Sequence, residues 1–120
     1  MEIEAVSGSV RLRAVAVPMG EDLCVAVTGG DRPHIGCTSL AVPHPGISDP
    51  ARPSATVSTL NLTAHRDGQI ADQLAKLLSS ALGRPVAVVC GVHFDHFSPT
   101  LENDTHAAVQ ALSEAILRQR

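Results

Sequence analysis

The first half of the chain predicts β-strands from its pattern of apolar and polar positions. In VRLRAVAV (10–17) the first four residues alternate between apolar side chains and arginine, which is typical of a half-exposed strand, and we expect an edge strand there. The continuous apolar segment LCVAV (23–27) is typical of a strand buried on both faces. The turn segment MGED between them indicates an antiparallel hairpin.

Two further strands are expected before the middle of the chain. The segment IGCTSLAVP (35–43) predicts a third strand that ends at Pro43, because proline has no N–H to donate to a sheet. The β-branched, hydroxyl-rich segment ATVSTLNLT (55–63) predicts a fourth. Between them, HPGISDPARPS (44–54) contains three prolines and a glycine, so we expect a surface loop without regular structure.

The second half of the chain changes to a helical period from Asp67, which can cap a helix that ends at Gly83. The apolar positions that fall on one face of this helix are Ile70, Leu74, Leu77, Leu78 and Ala81. The apolar segment PVAVVCGV (85–92) then predicts a central strand. Ser98 and Pro99 begin a final helix, with apolar positions at Leu101, Ala108, Leu112, Ala115 and Ile116.

This order of elements predicts an α+β fold with two layers over a single domain, residues 1–120. The strands do not alternate with helices as in a doubly wound fold, so we expect a mainly antiparallel sheet of about five strands with both helices on one face. The other face of the sheet then has no third layer to cover it. A homodimer joined through the sheet face or a sheet edge would provide that cover.

Composition excludes several classes of protein. Hydrophobic residues make up 44% of the chain and charged residues 18%, as in folded globular proteins. The 9 basic and 12 acidic residues show no basic cluster, so we expect no nucleic-acid partner. We also expect a cytoplasmic protein with no membrane partner, since no apolar run approaches the roughly 20 residues that span a bilayer and MEIEAVSGSV does not resemble a signal peptide. Three cysteines without a CxxC motif favour buried thiols over disulfides or zinc.

Candidate chemistry is concentrated in three polar segments that follow strands: GGDRPHIG (29–36), HRDG (65–68) and HFDHF (93–97). In the first, two glycines permit close approach of a backbone to a ligand, the aspartate accepts hydrogen bonds, and Arg32 and the histidine can donate to an anion. In the second, a histidine and an arginine precede a helix whose first N–H groups favour phosphate or carboxylate. The candidate binding residues are Gly29, Gly30, Asp31, His34, Gly36, His65, Arg66, His93 and Asp95.

Simpler interpretations exist for several of these residues. A Gly-Gly-Asp segment is most often only a turn, and Asp67 is better explained as a helix cap than as an acid catalyst. His44 and His106 are expected on the solvated surface. His93 and His96 have HxxH spacing, but residues three apart on a strand point to opposite faces, so we expect no metal site. With no GxSxG, P-loop, HExxH or dinucleotide motif, the residues by themselves indicate an anion-binding α+β domain.

The same segments resemble a known family, the LpdD-like prenylated-flavin chaperone domain associated with UbiD-type decarboxylases. The matching pieces are TGGDRPHIG with the following SLAV, then HRDGQIADQLAKLL, and finally VVCGVHFDHFSP. Their order and spacing agree with the family, and together they cover most of the chain from about Asp22 to the last helix. The first piece is the most specific of the three.

The resemblance implies a two-layer α+β fold akin to proteasome assembly chaperones, a dimer, and an accessory role. It implies handling of prenylated flavin mononucleotide (prenylated FMN), made by a flavin prenyltransferase and used by a UbiD-type decarboxylase of aromatic or related acids. Two alternatives stay open. The histidines and Asp95 can serve as acid–base groups of a small enzyme of flavin maturation, or the protein can be a pure interaction subunit of the decarboxylase.

Overall fold

The chain forms one six-stranded sheet with two helices packed on the same face. The computed structural model describes residues 1–62 and 67–119, without the side chain of Asp67. In chain order the elements are β1 (Glu2–Ser7), β2 (Val10–Met19), β3 (Asp22–Gly30), β4 (Cys37–Pro45), β5 (Pro53–Asn61), α1 (Asp67–Leu82), β6 (Val86–His93) and α2 (Pro99–Arg118). In space the strands run β1-β2-β3-β6-β4-β5, with β3 and β6 parallel and the other neighbours antiparallel.

The α+β prediction is confirmed, with one more strand than expected. The added strand is β1, which pairs with β2 and takes the edge position that the sequence pattern predicts for β2. Two ion pairs join these strands on the exposed face: Arg11 lies 2.8 Å from Glu4, and Arg13 pairs with Glu2. The arginines of β2 are therefore matched by glutamates across the ladder rather than placed at an open edge.

Pro43 does not end β4, contrary to prediction, and the segment 44–54 contributes to two strands. Pairing of β4 with β6 stops at Ala41, while pairing with β5 continues to Pro45 opposite Pro53. Gly46 donates to the Arg52 carbonyl at 2.9 Å, so even-numbered residues of β4 bond to β5. The nitrogen of Pro43 points away from β5, and its missing N–H leaves that pairing intact. The expected loop is therefore shorter than predicted: it spans residues 46–52 and joins β4 and β5 as a hairpin.

Both helices bury apolar faces against the sheet. Helix α1 packs on β4, β5 and β6, and its buried residues include Ala71, Leu74, Ala75 and Leu78. The buried face of α1 is rotated about the helix axis relative to the predicted face, since Leu77 is half-buried and Ala81 is exposed. Helix α2 packs on β1, β2 and α1. It begins as predicted, because the Ser98 hydroxyl accepts the Leu101 N–H at 3.1 Å and Pro99 is the first helical residue.

The opposite face of the sheet carries exposed apolar side chains, which we call the open face. Val17, Leu40, Val42 and Leu60 are exposed by 52, 48, 50 and 80%. Across the strands Val17 pairs with Cys24 and Leu40 with Ala87, so these small and apolar residues form a continuous row. Within the described residues no third layer covers this surface.

Candidate functional site

The candidate site lies where β3 and β6 end side by side. Because the two strands are parallel neighbours, their carboxyl ends reach the same edge of the sheet. The chain then leaves them in opposite directions. Residues 31–36 pass the end of β6 to reach β4, whereas residues 94–98 lead to α2, which packs on β1 and β2. Open sheets commonly bind ligands in the crevice formed where neighbouring parallel strands diverge in this way.

Glycines allow segment 31–36 to cross directly over β6. A Cβ added to Gly91 would overlap the carbonyl oxygen of His34, so the loop lies on the bare backbone of the strand. Gly30 has a φ of 73°, and a Cβ there would overlap the carbonyl oxygen of His93. Gly36 is buried, donates to the Cys90 carbonyl at 2.8 Å and accepts from the Leu62 N–H at 2.8 Å. The backbone that closely approaches these glycines is therefore the protein's own.

Four of the predicted site residues converge at this edge. Nε2 of His93 donates to Oδ1 of Asp95 at 3.0 Å, and the backbone N–H of Asp95 donates to Oδ2 of Asp31 at 2.9 Å. The rings of His34 and His93 meet edge to face with centroids 6.2 Å apart. Nδ1 of His34 lies 3.2 Å from the carbonyl oxygen of Arg32. We refer to Asp31, His34, His93 and Asp95 as the His/Asp cluster.

The hydrogen bonds of the cluster hold the two loops in register. Asp31 joins them twice, because its N–H donates to the His93 carbonyl at 2.6 Å while its carboxylate accepts from Asp95. The carboxylate of Asp95 then orients the His93 ring, which favours the tautomer with a proton on Nε2. The arrangement supplies imidazole and carboxylate groups at fixed positions for hydrogen bonding to a ligand.

Helix α1 begins at the same edge of the sheet. Gly68, in its first turn, lies against the side chain of Asn61, so that a Cβ on Gly68 would lie 2.6 Å from the Asn61 Oδ1. Asn61 pairs with Cys37, which in turn pairs with Cys90 near the end of β6. Two strand spacings, roughly 10 Å, thus separate the start of α1 from the His/Asp cluster. The predicted residues His65 and Arg66, and the predicted capping side chain of Asp67, lie outside the described part of the structure.

A cleft of about 280 Å³ adjoins the cluster on the side facing β2 and α2. We name it the β2–α2 cleft; its lining includes Arg11, Asp31, Phe94, His96 and Leu101. The sequence pattern did not identify Arg11 or Leu101 as site residues, because each fits an ordinary strand or helix periodicity. Only the register of the β2–β3 hairpin, which pairs Leu12 with Gly29, brings Arg11 to the end of β3. Phe94 and Phe97 pack with ring centroids 6.4 Å apart.

His44, His106 and the three cysteines are not part of the His/Asp cluster. His44 is half-buried rather than fully solvated, and its ring nitrogens lie 2.7 Å from the Pro45 carbonyl oxygen and 2.9 Å from the Thr56 hydroxyl. His106 is exposed and bonded to Gln73 at 2.9 Å. Cys37 and Cys90 are buried thiols, and Cys24 is half-buried.

Neither a metal-binding cluster nor a membrane-spanning helix occurs in the described residues, 1–62 and 67–119. No group of three or more His, Cys, Asp or Glu side chains in them is placed to hold a metal ion. None of the helices in that part of the chain has the length and hydropathy needed to cross a bilayer.

The fold and the site together define a small two-layer α+β domain with a polar crevice at the end of a parallel strand pair. The chain belongs to the prenylated flavin chaperone LpdD-like domain family, whose model matches residues 6–120. Its fold is similar to a chain in the crystal structure of a novel chaperone complex for yeast 20S proteasome assembly, with a TM-score of 0.60, 15% identity, and coverage of 99% of this chain and 95% of that one. Comparison with curated proteins found no match.

Proposed function

We propose that this protein binds prenylated FMN and stores or delivers it for a UbiD-type decarboxylase. Membership of a family described as prenylated flavin chaperones supports a chaperone role. The observation that carries the proposal is the convergence of the His/Asp cluster at the ends of β3 and β6, beside two phenylalanines. A flavin prenyltransferase would supply the ligand, and the decarboxylase would receive it.

The chemistry of a flavin mononucleotide suits this edge of the sheet. Its flat ring carries hydrogen-bonding groups that imidazole and carboxylate side chains can meet, and Phe94 offers an aromatic surface for the ring face. Its phosphate is an anion, which helix N-termini and arginine side chains bind. We therefore propose that the start of α1, together with His65 and Arg66, holds the phosphate.

Co-expression with a flavin prenyltransferase tests the proposal directly. The purified protein should carry the absorbance of prenylated FMN and should restore activity to a decarboxylase lacking its cofactor. His93→Ala should reduce the bound flavin, whereas His106→Ala, which removes an exposed histidine away from the cluster, should not. Protein that emerges without flavin, and that gains none on titration, would contradict the proposed function.

Arg66→Ala tests the phosphate assignment. A charge-assisted hydrogen bond contributes roughly 1.5 to 3 kcal/mol, so binding of prenylated FMN should weaken about ten- to a hundredfold, with little change in melting temperature. The dephosphorylated ligand should bind almost equally to the wild type and the variant. Equal losses for the two ligands would show that Arg66 does not contact the phosphate.

The orientation of His93 by Asp95 also favours a second candidate function, acid–base catalysis during flavin maturation. In that case the protein would convert a flavin precursor, and His93→Asn would abolish turnover while the ligand still bound. Chromatography of the flavin before and after incubation with the protein separates the two functions, because a chaperone returns its ligand unchanged.

A further inference from the structure

We infer that the β2–α2 cleft binds a flat heterocyclic ring through an imide edge, with Arg11 as hydrogen-bond donor and Asp31 as acceptor. The inference rests on the proposed function in taking a flavin as the ligand, and it deepens that function by assigning which end of the flavin the cleft holds. An imide edge is a ring N–H flanked by two carbonyl groups, so it presents one donor between two acceptors.

The polar groups of the cleft match this pattern. Arg11 forms an exposed ion pair with Glu4 at 2.8 Å, which uses one of the five N–H donors of the guanidinium and leaves the others for a ligand. The Oδ2 atom of Asp31 accepts the Asp95 N–H. Among the described residues nothing donates to its Oδ1. Arg11 and Asp31 both line the cleft, and no ion pair between them is formed. A ligand carrying both donor and acceptor atoms can therefore engage both side chains.

The apolar groups of the cleft suit the faces of a ring. Phe94 and Leu101 form part of its wall, and an aromatic side chain packs well on a flat heterocycle. His96, also in the lining, can add one more hydrogen bond at the rim. Because Glu4 and Asp31 offset the charge of Arg11, the surroundings favour a neutral polar edge over a phosphate group.

The cleft lies at the lower end of the size range of small-molecule sites, which suits one end of the ligand. Pockets that enclose whole small molecules measure roughly 300 to 1,000 Å³. The β2–α2 cleft measures about 280 Å³. The start of α1 lies over β5, four strands from β2 in the sheet, or roughly 19 Å at the usual strand spacing. A single flavin mononucleotide could thus place its ring in the cleft only by lying extended along this edge, with its phosphate toward α1.

Lumiflavin tests the inference, because it is the flavin ring without the ribityl phosphate chain. Its binding is measured by fluorescence quenching alongside 3-methyllumiflavin, in which a methyl group replaces the imide proton. Arg11→Ala is compared with Arg13→Ala, a matched control on the same strand and the same face that also pairs with a glutamate but does not line the cleft. Both arginines are exposed, so neither variant removes core packing.

We expect the wild type to bind lumiflavin at least tenfold more tightly than 3-methyllumiflavin. Arg11→Ala should weaken lumiflavin binding at least tenfold, and Arg13→Ala should leave it unchanged. If prenylated FMN binds but the two arginine variants behave alike, the ring assignment is wrong while the proposed function stands. If lumiflavin binds with this dependence on Arg11 but prenylated FMN does not, the proposed function fails and the inference holds. Binding of no flavin at all would overturn both.

Discussion

Glycine at position 91 decides whether the loop that carries His34 can lie where it does. The loop crosses β6 with its backbone against Gly91, and a Cβ there would overlap the His34 carbonyl. Gly20 offers a contrast, because it has a φ of 65° but no atom within 4 Å of an added Cβ. The first glycine is required by packing between distant segments, and the second only by the conformation of a tight turn.

Gly91→Ala should therefore destabilise the protein more than Gly20→Ala. Overpacking costs about 1 to 3 kcal/mol, and an overlap with backbone that only a displaced loop can relieve lies at the upper end of that range, whereas a left-handed alanine in open space costs about 1 to 2 kcal/mol. Urea denaturation gives the two free energies of unfolding. Because the loop carries His34, its displacement in the Gly91→Ala variant should also weaken flavin binding. Equal stability of the two variants would show that the loop does not rest on β6.

At the scale of elements, a partly buried polar contact attaches α1 to β4 and β5. The hydroxyls of Ser39 on β4 and Thr59 on β5 both donate to Oδ1 of Asp72, the first at 2.6 Å, and the two hydroxyls lie 3.0 Å apart. Ser39 is fully buried. The contact joins three elements that adjoin the site edge, so it sets the position of the first turns of α1 relative to the sheet.

Asp72→Ala should lower the free energy of unfolding by about 1 to 3 kcal/mol, because the Ser39 and Thr59 hydroxyls lose their shared acceptor and can then pair only with each other. Lys76→Ala, one turn further along the same helix at an exposed position, should change it by less than about 0.5 kcal/mol. Thermal or urea unfolding of both variants provides the measurement. A difference within error would show that the contact contributes nothing to the packing of α1.

At the scale of the whole molecule, the two helices cover only one face of the sheet. The open face presents the apolar row described above, with exposed ion pairs between β1 and β2 at one side. Contiguous apolar surface with a polar rim is typical of protein–protein interfaces. We propose that two copies pack through their open faces, in keeping with the homodimer that the sequence predicts.

Light scattering should give about twice the chain mass of 12.5 kDa at micromolar concentration. Leu40→Lys, which places a charge in the middle of the open face, should convert the dimer to a monomer because a buried unpaired charge is strongly unfavourable. Ile47→Lys is the matched control, since Ile47 is 94% exposed and lies in the turn between β4 and β5 rather than in a strand. A wild-type monomer, or dissociation by both substitutions alike, would contradict this interface.

Much of the secondary structure follows from the sequence because its signals are local. The period of two in β2, the apolar runs of β3 and β6, and the cap of α2 at Ser98 each depend on neighbours within a few residues. The same holds for the three polar segments, whose composition marks them as candidate sites. These local signals give a wrong prediction where pairing with another strand decides the structure, as at Pro43 and at the charged edge strand β1.

The arrangement of the site, by contrast, was decided by the tertiary structure. Strand order depends on which apolar faces the whole sheet can bury. No local sequence pattern indicates that β6 inserts between β3 and β4. That insertion makes β3 and β6 parallel neighbours, joins Asp31 to Asp95 across 64 positions of the chain, and places Arg11 beside Phe94. The sequence by itself determined which residues carry polar chemistry and which segments are strands or helices. Long-range burial and strand pairing alone determined which of those residues meet.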